Sequence, residues 1–281
     1  MAQFNDEELT KAVINRMQGA NDPRLREIMT ALVRHLHDFA REVKLSEAEW
    51  LAAIDFLTRT GQMCDGKRQE FILLSDTLGL SMLVDALNNK REGRETPSTV
   101  LGPFYVPGAP DLPMGADIAA NTEGGFKTSV SGRVLNGDGK PIESAVLDVW
   151  QTAPNGLYDV QDPQAPEMNL RGRFRTGSDG AYRFWTIKPV SYPVPTDGPV
   201  GKMLLALGRH PYRPAHLHFI VTASGFEKLT THIFVRGDRY LDSDAVFGVK
   251  DALMMDFIDD AKSNTAAVAC DFVLKRTGQP S

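Results

Sequence analysis

The spacing of apolar residues changes once along this chain. Up to about residue 90 they recur every three or four positions, the mark of helices with one apolar face. Residues 6–17 form a short amphipathic segment. Asp22-Pro23 opens a second helix, proline being tolerated in the first turn, and Leu25, Ile28, Met29, Leu32, Val33 and Leu36 make its stripe. Ser46-Glu47-Ala48-Glu49 fits a capping box, which starts a third helix through Trp50, Leu51, Ile54 and Leu57. Gly66 precedes a further helical stretch, residues 67–88, which Gly79 is placed to break or bend. This stretch is apolar on more than one face, so most of it is expected to be buried between neighbours. A partner helix or a pocket wall is the functional alternative.

Residues 96–113 are dense in Pro and Gly and read as an ordered, extended connector. Val100, Leu101, Phe104 and Tyr105 are too apolar for a solvated linker, so the connector should drape on the C-terminal strands. From about Lys127 the period becomes two. Strands are expected at residues 128–135, 145–151, 172–176, 181–187, 216–222, 230–235 and 270–275, with Asn136-Gly137-Asp138-Gly139 and Gly177-Ser178-Asp179-Gly180 as turns. Short strands at this spacing predict an antiparallel β-sandwich behind a helical N-terminal region. The division is drawn as residues 1–105, helical, and residues 106–281, the sandwich.

One strand carries candidate chemistry. In Arg213-Pro214-Ala215-His216-Leu217-His218-Phe219-Ile220-Val221, proline turns the chain away from helix and an apolar run comes after it. Residues two apart on a strand share a face, so His216 and His218 project together, suited to one metal ion. His35-Leu36-His37 serves as a control. It lies in a helical pattern, where two positions are a rotation of about 200°, so its imidazoles diverge.

Composition narrows the classes. The net charge of −5 with no basic stripe speaks against nucleic acid. No apolar run approaches the roughly 20 residues needed to span a bilayer, and the first residues lack the pattern of a signal peptide. Two cysteines, Cys64 and Cys270, are too few for a disulfide framework or a thiolate cluster. A reducing cytoplasm is expected, with any metal held by nitrogen and oxygen. Two loop tyrosines, Tyr158 and Tyr192, are candidate oxygen donors. A phenol ionises only near pH 10 unless a strong Lewis acid faces it, and ferric iron is such an acid.

Leu147-Asp148-Val149-Trp150-Gln151, Asn155-Gly156-Leu157-Tyr158, Gly172-Arg173-Phe174-Arg175-Thr176 and the Arg-Pro-Ala-His-Leu-His run together resemble the motifs of the intradiol ring-cleaving dioxygenases. The resemblance covers nearly the whole chain. Within the family it is strongest to enzymes acting on hydroxyquinol, with catechol-cleaving enzymes as the alternative. It implies a ferric ion, Fe(3+), held by Tyr158, Tyr192, His216 and His218, with Arg213 behind the substrate. It implies a pocket walled by Leu73 and Asp76 on the helix, by Val100, Leu101, Gly102, Pro103 and Phe104 on the connector, and by Val194, Pro195 and Val246. His232 stands where catechol-cleaving relatives commonly have Gln, and a hydrogen bond behind the ligands is expected of it. The reaction implied opens an aromatic diol or triol between its two hydroxylated carbons with O2. Tyr192 leaves the metal to take up a proton and Arg213 stabilises the charge that develops. The N-terminal apolar stripes are long for helices that only cover a sandwich, so a homodimer through these helices is expected, and the resemblance adds phospholipid tails enclosed there.

Two rival readings remain at this level. One is a non-catalytic sandwich that binds an apolar ligand. The other is a zinc hydrolase, which would want a carboxylate beside the two histidines, and none stands at obvious spacing.

Overall fold

The computed structural model describes residues 5–91 and 93–278. The chain divides into two compact units, residues 1–59 and 60–281. In the first, α1 (Asp6–Arg16) and α2 (Pro23–Glu42) pack together, and α3 (Glu47–Gln62) begins. Asp22 caps α2 through the amides of Arg24 and Leu25. The Ser46–Glu49 capping box is present, with Ser46 N donating to Glu49 Oε2 at 2.9 Å. The control histidines diverge as expected: His37 meets Thr10, while His35 is exposed.

The second unit opens with α4 (Glu70–Thr77) and α5 (Leu80–Asn88), separated by Gly79 in a left-handed conformation. Thereafter come β1 (Lys127–Asn136), β2 (Val146–Trp150), β3 (Arg171–Arg175), β4 (Ala181–Ile187), β5 (Tyr192–Pro193), α6 (Pro199–Ala206), β6 (Tyr212–Arg213), β7 (His216–Thr222) and β8 (Leu229–Val235). Short strands β9 (Met254–Met255), β10 (Ile258–Asp260), β11 (Thr265–Ala269) and β12 (Phe272–Leu274) complete the chain. One sheet runs β10-β11-β1-β12, with β4 also paired to β1; the other runs β3-β2-β7-β8-β9. Their facing residues, Val130, Phe184 and Phe272 from one and Leu147, Leu217, Phe219 and Ile233 from the other, form the main core.

The sandwich is not wholly antiparallel. β1 pairs in parallel with β11 and then with β12. The changeover falls at Gly132, where a Cβ would stand 1.7 Å from the Cys270 carbonyl oxygen, so the close approach of that backbone excludes any side chain. The connector is anchored strand by strand. Thr96 N donates to Val273 O, Thr99 N to Thr230 O and Leu112 N to Arg173 O. Among the described residues no helix is long and apolar enough to cross a membrane.

Candidate metal centre and ligand cavity

β7 lies between β2 and β8 and is buried on both faces. Leu217, Phe219 and Val221 enter the inter-sheet core. The alternate residues His216 and His218 therefore leave on the opposite face. Both are 2 % exposed, and their Nε2 atoms stand 3.1 Å apart.

Cross-strand register sets Trp150 and His232 on either side of His218. The Trp150 ring stacks on the imidazole at 4.5 Å and 13°. His232 Nε2 lies 2.7 Å from His218 Nδ1, and His232 Nδ1 lies 2.7 Å from Thr99 Oγ1. His216 Nδ1 is 2.7 Å from the Pro214 carbonyl, which fixes a proton on that nitrogen and leaves Nε2 a lone pair. Passing protons the same way along the other chain, from His232 to Thr99 and from His218 to His232, gives His218 Nε2 a lone pair as well. His232 then has both ring nitrogens engaged.

Tyr158 arrives from a loop, whereas Tyr192, expected in a loop, opens a short strand. Tyr158 lies beyond the end of β2, its amide donating to Gln161 Oε1, while the buried Arg171–Asp159 ion pair pins the loop beside it. Tyr192 begins β5 and pairs directly with Arg213 on β6. Tyr158 Oη lies 3.0 Å from Tyr192 Oη and 2.8 Å from His218 Nε2. Donors about 2 Å from one ion and at right angles to each other stand about 3 Å apart. The observed separations, 2.8–3.1 Å, match such a spacing, and without an ion they are ordinary hydrogen-bond distances. The nitrogens of His216, His218 and His232 also group within 4.8 Å.

Burial pushes the Tyr158 phenol well above its ordinary range, and the neighbouring Tyr192 adds to this. Burial raises Tyr192 too, with Arg213 opposing. Burial holds His216, His218 and His232 well below the usual imidazole range; the Arg213 charge reinforces this at each. The imidazoles are therefore neutral and able to ligate. The phenols ionise only against a concentrated positive charge. Such a set of imidazole nitrogens and hard phenolic oxygens fits a metal ion.

Over the donors lies a tight cavity of about 10 Å³, space for about one water. Leu73 and Asp76 line it from α4, Gly102, Pro103 and Phe104 from the connector, and Val194, Val246, Tyr192, Arg213 and His218 from the sandwich side. Phe104 stacks on Tyr158 at 4.8 Å, so that tyrosine is covered. Val100 and Leu101 face a neighbouring groove on the other side of the connector. Pro195 comes after Val194 without lining the cavity, and His232 lies behind His218 rather than on the wall. Sequence reasoning missed Thr99, the stacking of Trp150, the Arg171–Asp159 pair and Asp244, which clasps Arg213. Only strand register could have found Trp150; a residue such as Asp244, distant in sequence, leaves no pattern to read.

Residues 100–276 match the family model described as Dioxygenase, and residues 22–96 the one described as Catechol dioxygenase N terminus. A 6-chlorohydroxyquinol 1,2-dioxygenase of Cupriavidus pinatubonensis is 53% identical over 277 residues, spanning 99% of this chain and 100% of its own. A solved hydroxyquinol 1,2-dioxygenase from Pseudomonas putida DLL-E4 superposes with a TM-score of 0.89 at 49% identity, covering 96% of this chain and 98% of that one. A catechol 1,2-dioxygenase of Candida albicans stands further off, at 42% identity over 253 residues, 88% of this chain and 83% of its own. The chain belongs to the intradiol ring-cleavage dioxygenases.

Asp76 is 2 % exposed, and burial raises its pKa, with a bond to Ser81 and the Arg213 charge opposing. A raised carboxylate pKa means that the folded state holds its proton longer than the unfolded state does. The stability it contributes is complete below the unfolded pKa of about 4 and is lost as pH rises through the folded value. Asp76→Asn is therefore expected to melt at a higher temperature than the parent near pH 7, with the gap closing toward pH 4. Thermal melts across that range check this; a gap that does not vary with pH would contradict it.

Proposed function

We propose that this protein is a ferric intradiol dioxygenase that opens hydroxyquinol (benzene-1,2,4-triol) between its vicinal hydroxylated carbons. Both atoms of O2 enter the product, 3-hydroxy-cis,cis-muconate, which is the enol form of maleylacetate. The observation that carries the reading is the convergence of two phenols and two imidazoles, at separations near 3 Å, beneath a cavity bordered by Asp76 and Arg213. Tyr158, Tyr192, His216 and His218 are the proposed ligands. Iron bound there supplies Lewis acidity toward the diol, and two anionic phenolates favour its ferric state.

The chain's own groups do the rest. Leu73, Pro103, Phe104, Val194 and Val246 exclude water from the ring. The Tyr192 oxygen accepts a proton from a substrate hydroxyl. Burial works against the Arg213 charge, but Asp244 together with Tyr192 and Tyr158 outweighs it, so Arg213 stays charged and can stabilise negative charge growing on the substrate. His232 orients His218. Asp76 accepts a hydrogen bond from the third hydroxyl of the triol. Cys64 and Cys270 are free, in keeping with a reducing cytoplasm.

A second copy of the chain is the proposed partner of the helices before residue 105. α2 buries none of its residues, and Leu25, Ile28, Leu32, Leu36 and Phe39 are 45–54% exposed along one stripe. Contiguous apolar surface of this kind marks an interface. A phospholipid tail is proposed to share it.

Tyrosinate on ferric iron absorbs visible light, so the iron-loaded protein is expected to be wine-red. Tyr158→Phe should bleach or shift that colour and remove nearly all turnover; full colour and activity would take Tyr158 out of the site. For selectivity, one charged hydrogen bond is worth about 1.5–3 kcal/mol. Asp76→Ala should thus lower kcat/KM for the triol roughly ten- to a hundred-fold more than for catechol. Equal effects on both substrates would favour catechol as the natural ring. Sedimentation should find a dimer that survives dilution, and solvent extraction should release phospholipid. A monomer at every concentration sinks the dimer, and an extract without lipid sinks the bound tail.

A further inference from the structure

Arg213 can act on a substrate only if its guanidinium points one way, and the group that aims it lies outside every motif. Asp244 comes directly after the short turn Leu241–Ser243 and is 5 % exposed. Its Oδ1 accepts from Arg213 Nε at 3.1 Å and from the Val246 amide at 3.2 Å. Its Oδ2 accepts from Arg213 Nη2 at 3.3 Å and from the Gly248 amide at 2.9 Å. One carboxylate thus grips two guanidinium nitrogens and two amides of the loop. The remaining nitrogen, Nη1, lies 3.1 Å from His216 Nε2, at the donor cluster. Val246, whose amide is held, is itself a cavity wall.

The loop is fastened from outside as well. Arg209 donates to Ala245 O at 2.9 Å and to Thr77 O, at the end of the helix that carries Asp76. Phe247 lies under that guanidinium, 4.9 Å away.

We propose that Asp244 is a positioning residue, which sets the direction of Arg213 Nη1 and the place of Val246 through one carboxylate. This rests on the reading of Arg213 as the group facing developing charge. A two-point clasp suits the task because the planar guanidinium, held at Nε and Nη2, has no freedom left to swing Nη1.

Asp244→Asn removes the charge. It leaves a buried arginine unpaired, which risks the fold itself. Gly248→Ala is the gentler probe. It keeps the carboxylate but adds a Cβ that would stand 3.0 Å from Arg213 Nη2 and 3.2 Å from Asp244 Oδ2, so the clasp must shift. In Gly248→Ala, iron content, resting visible spectrum and anaerobic binding of the triol, monitored by its optical change, are expected to match the parent. kcat is expected to fall at least about ten-fold, since small misplacements of a catalytic group cost this much or more. In an Arg213→Gln background the same substitution should leave kcat where Arg213→Gln alone puts it. A Gly248→Ala effect that persists undiminished in that background overturns the positioning role, as does a loss of iron that accounts for the lost rate. Full kcat in Arg213→Gln overturns the reading of Arg213 and the proposal with it.

Discussion

The structure depends on keeping four neutral polar groups together in a place with almost no water. Buried polar atoms without partners cost free energy, and here two phenols and two imidazoles are turned toward one another. Each is held by something other than the centre itself. Pro214 fixes His216 through its carbonyl, and Trp150 with His232 fixes His218 from two neighbouring strands. A buried ion pair fixes the loop of Tyr158, and a two-residue pairing joins Tyr192 to Arg213. The centre is thus arranged by its surroundings, as preorganised sites require.

The strand that carries the histidines was legible because alternation is a strong signal when one face is core. Leu217, Phe219 and Val221 go inward, so His216 and His218 must go out together. His35 and His37 confirm the rule from the other side, since helical rotation separates them. The break at Gly79 was legible for a similar reason: a left-handed backbone favours glycine. What could not be read was anything that needs two strands at once. The row Trp150, His218, His232 exists only in the register of β2, β7 and β8. α6 was missed as a short helix set among prolines, and β11 because Thr-Ala-Ala-Val-Ala has little strand character of its own. Its parallel pairing with β1 is a tertiary fact, made possible by the missing side chain at Gly132.

Three charged groups stand in an uneven sequence: Asp76 and Arg213 on the cavity wall, and Asp244 behind Arg213. Arg213 lowers the pKa of Asp76 and Asp244 raises it, so the two carboxylates compete for one cation. Geometry decides the competition, because Asp244 takes two guanidinium nitrogens and two backbone amides. Asp76 is left buried with a serine and a distant share of positive charge, and burial raises its pKa. A carboxyl group in that condition gains more from a hydroxyl placed against it than an exposed one would, because water offers it little competition. The same clasp that aims Arg213 at the donor cluster therefore leaves Asp76 in need of a partner. On the proposed reading of Arg213 and Asp76, charge placement for the reaction and choice of the ring that undergoes it trace to one buried ion pair.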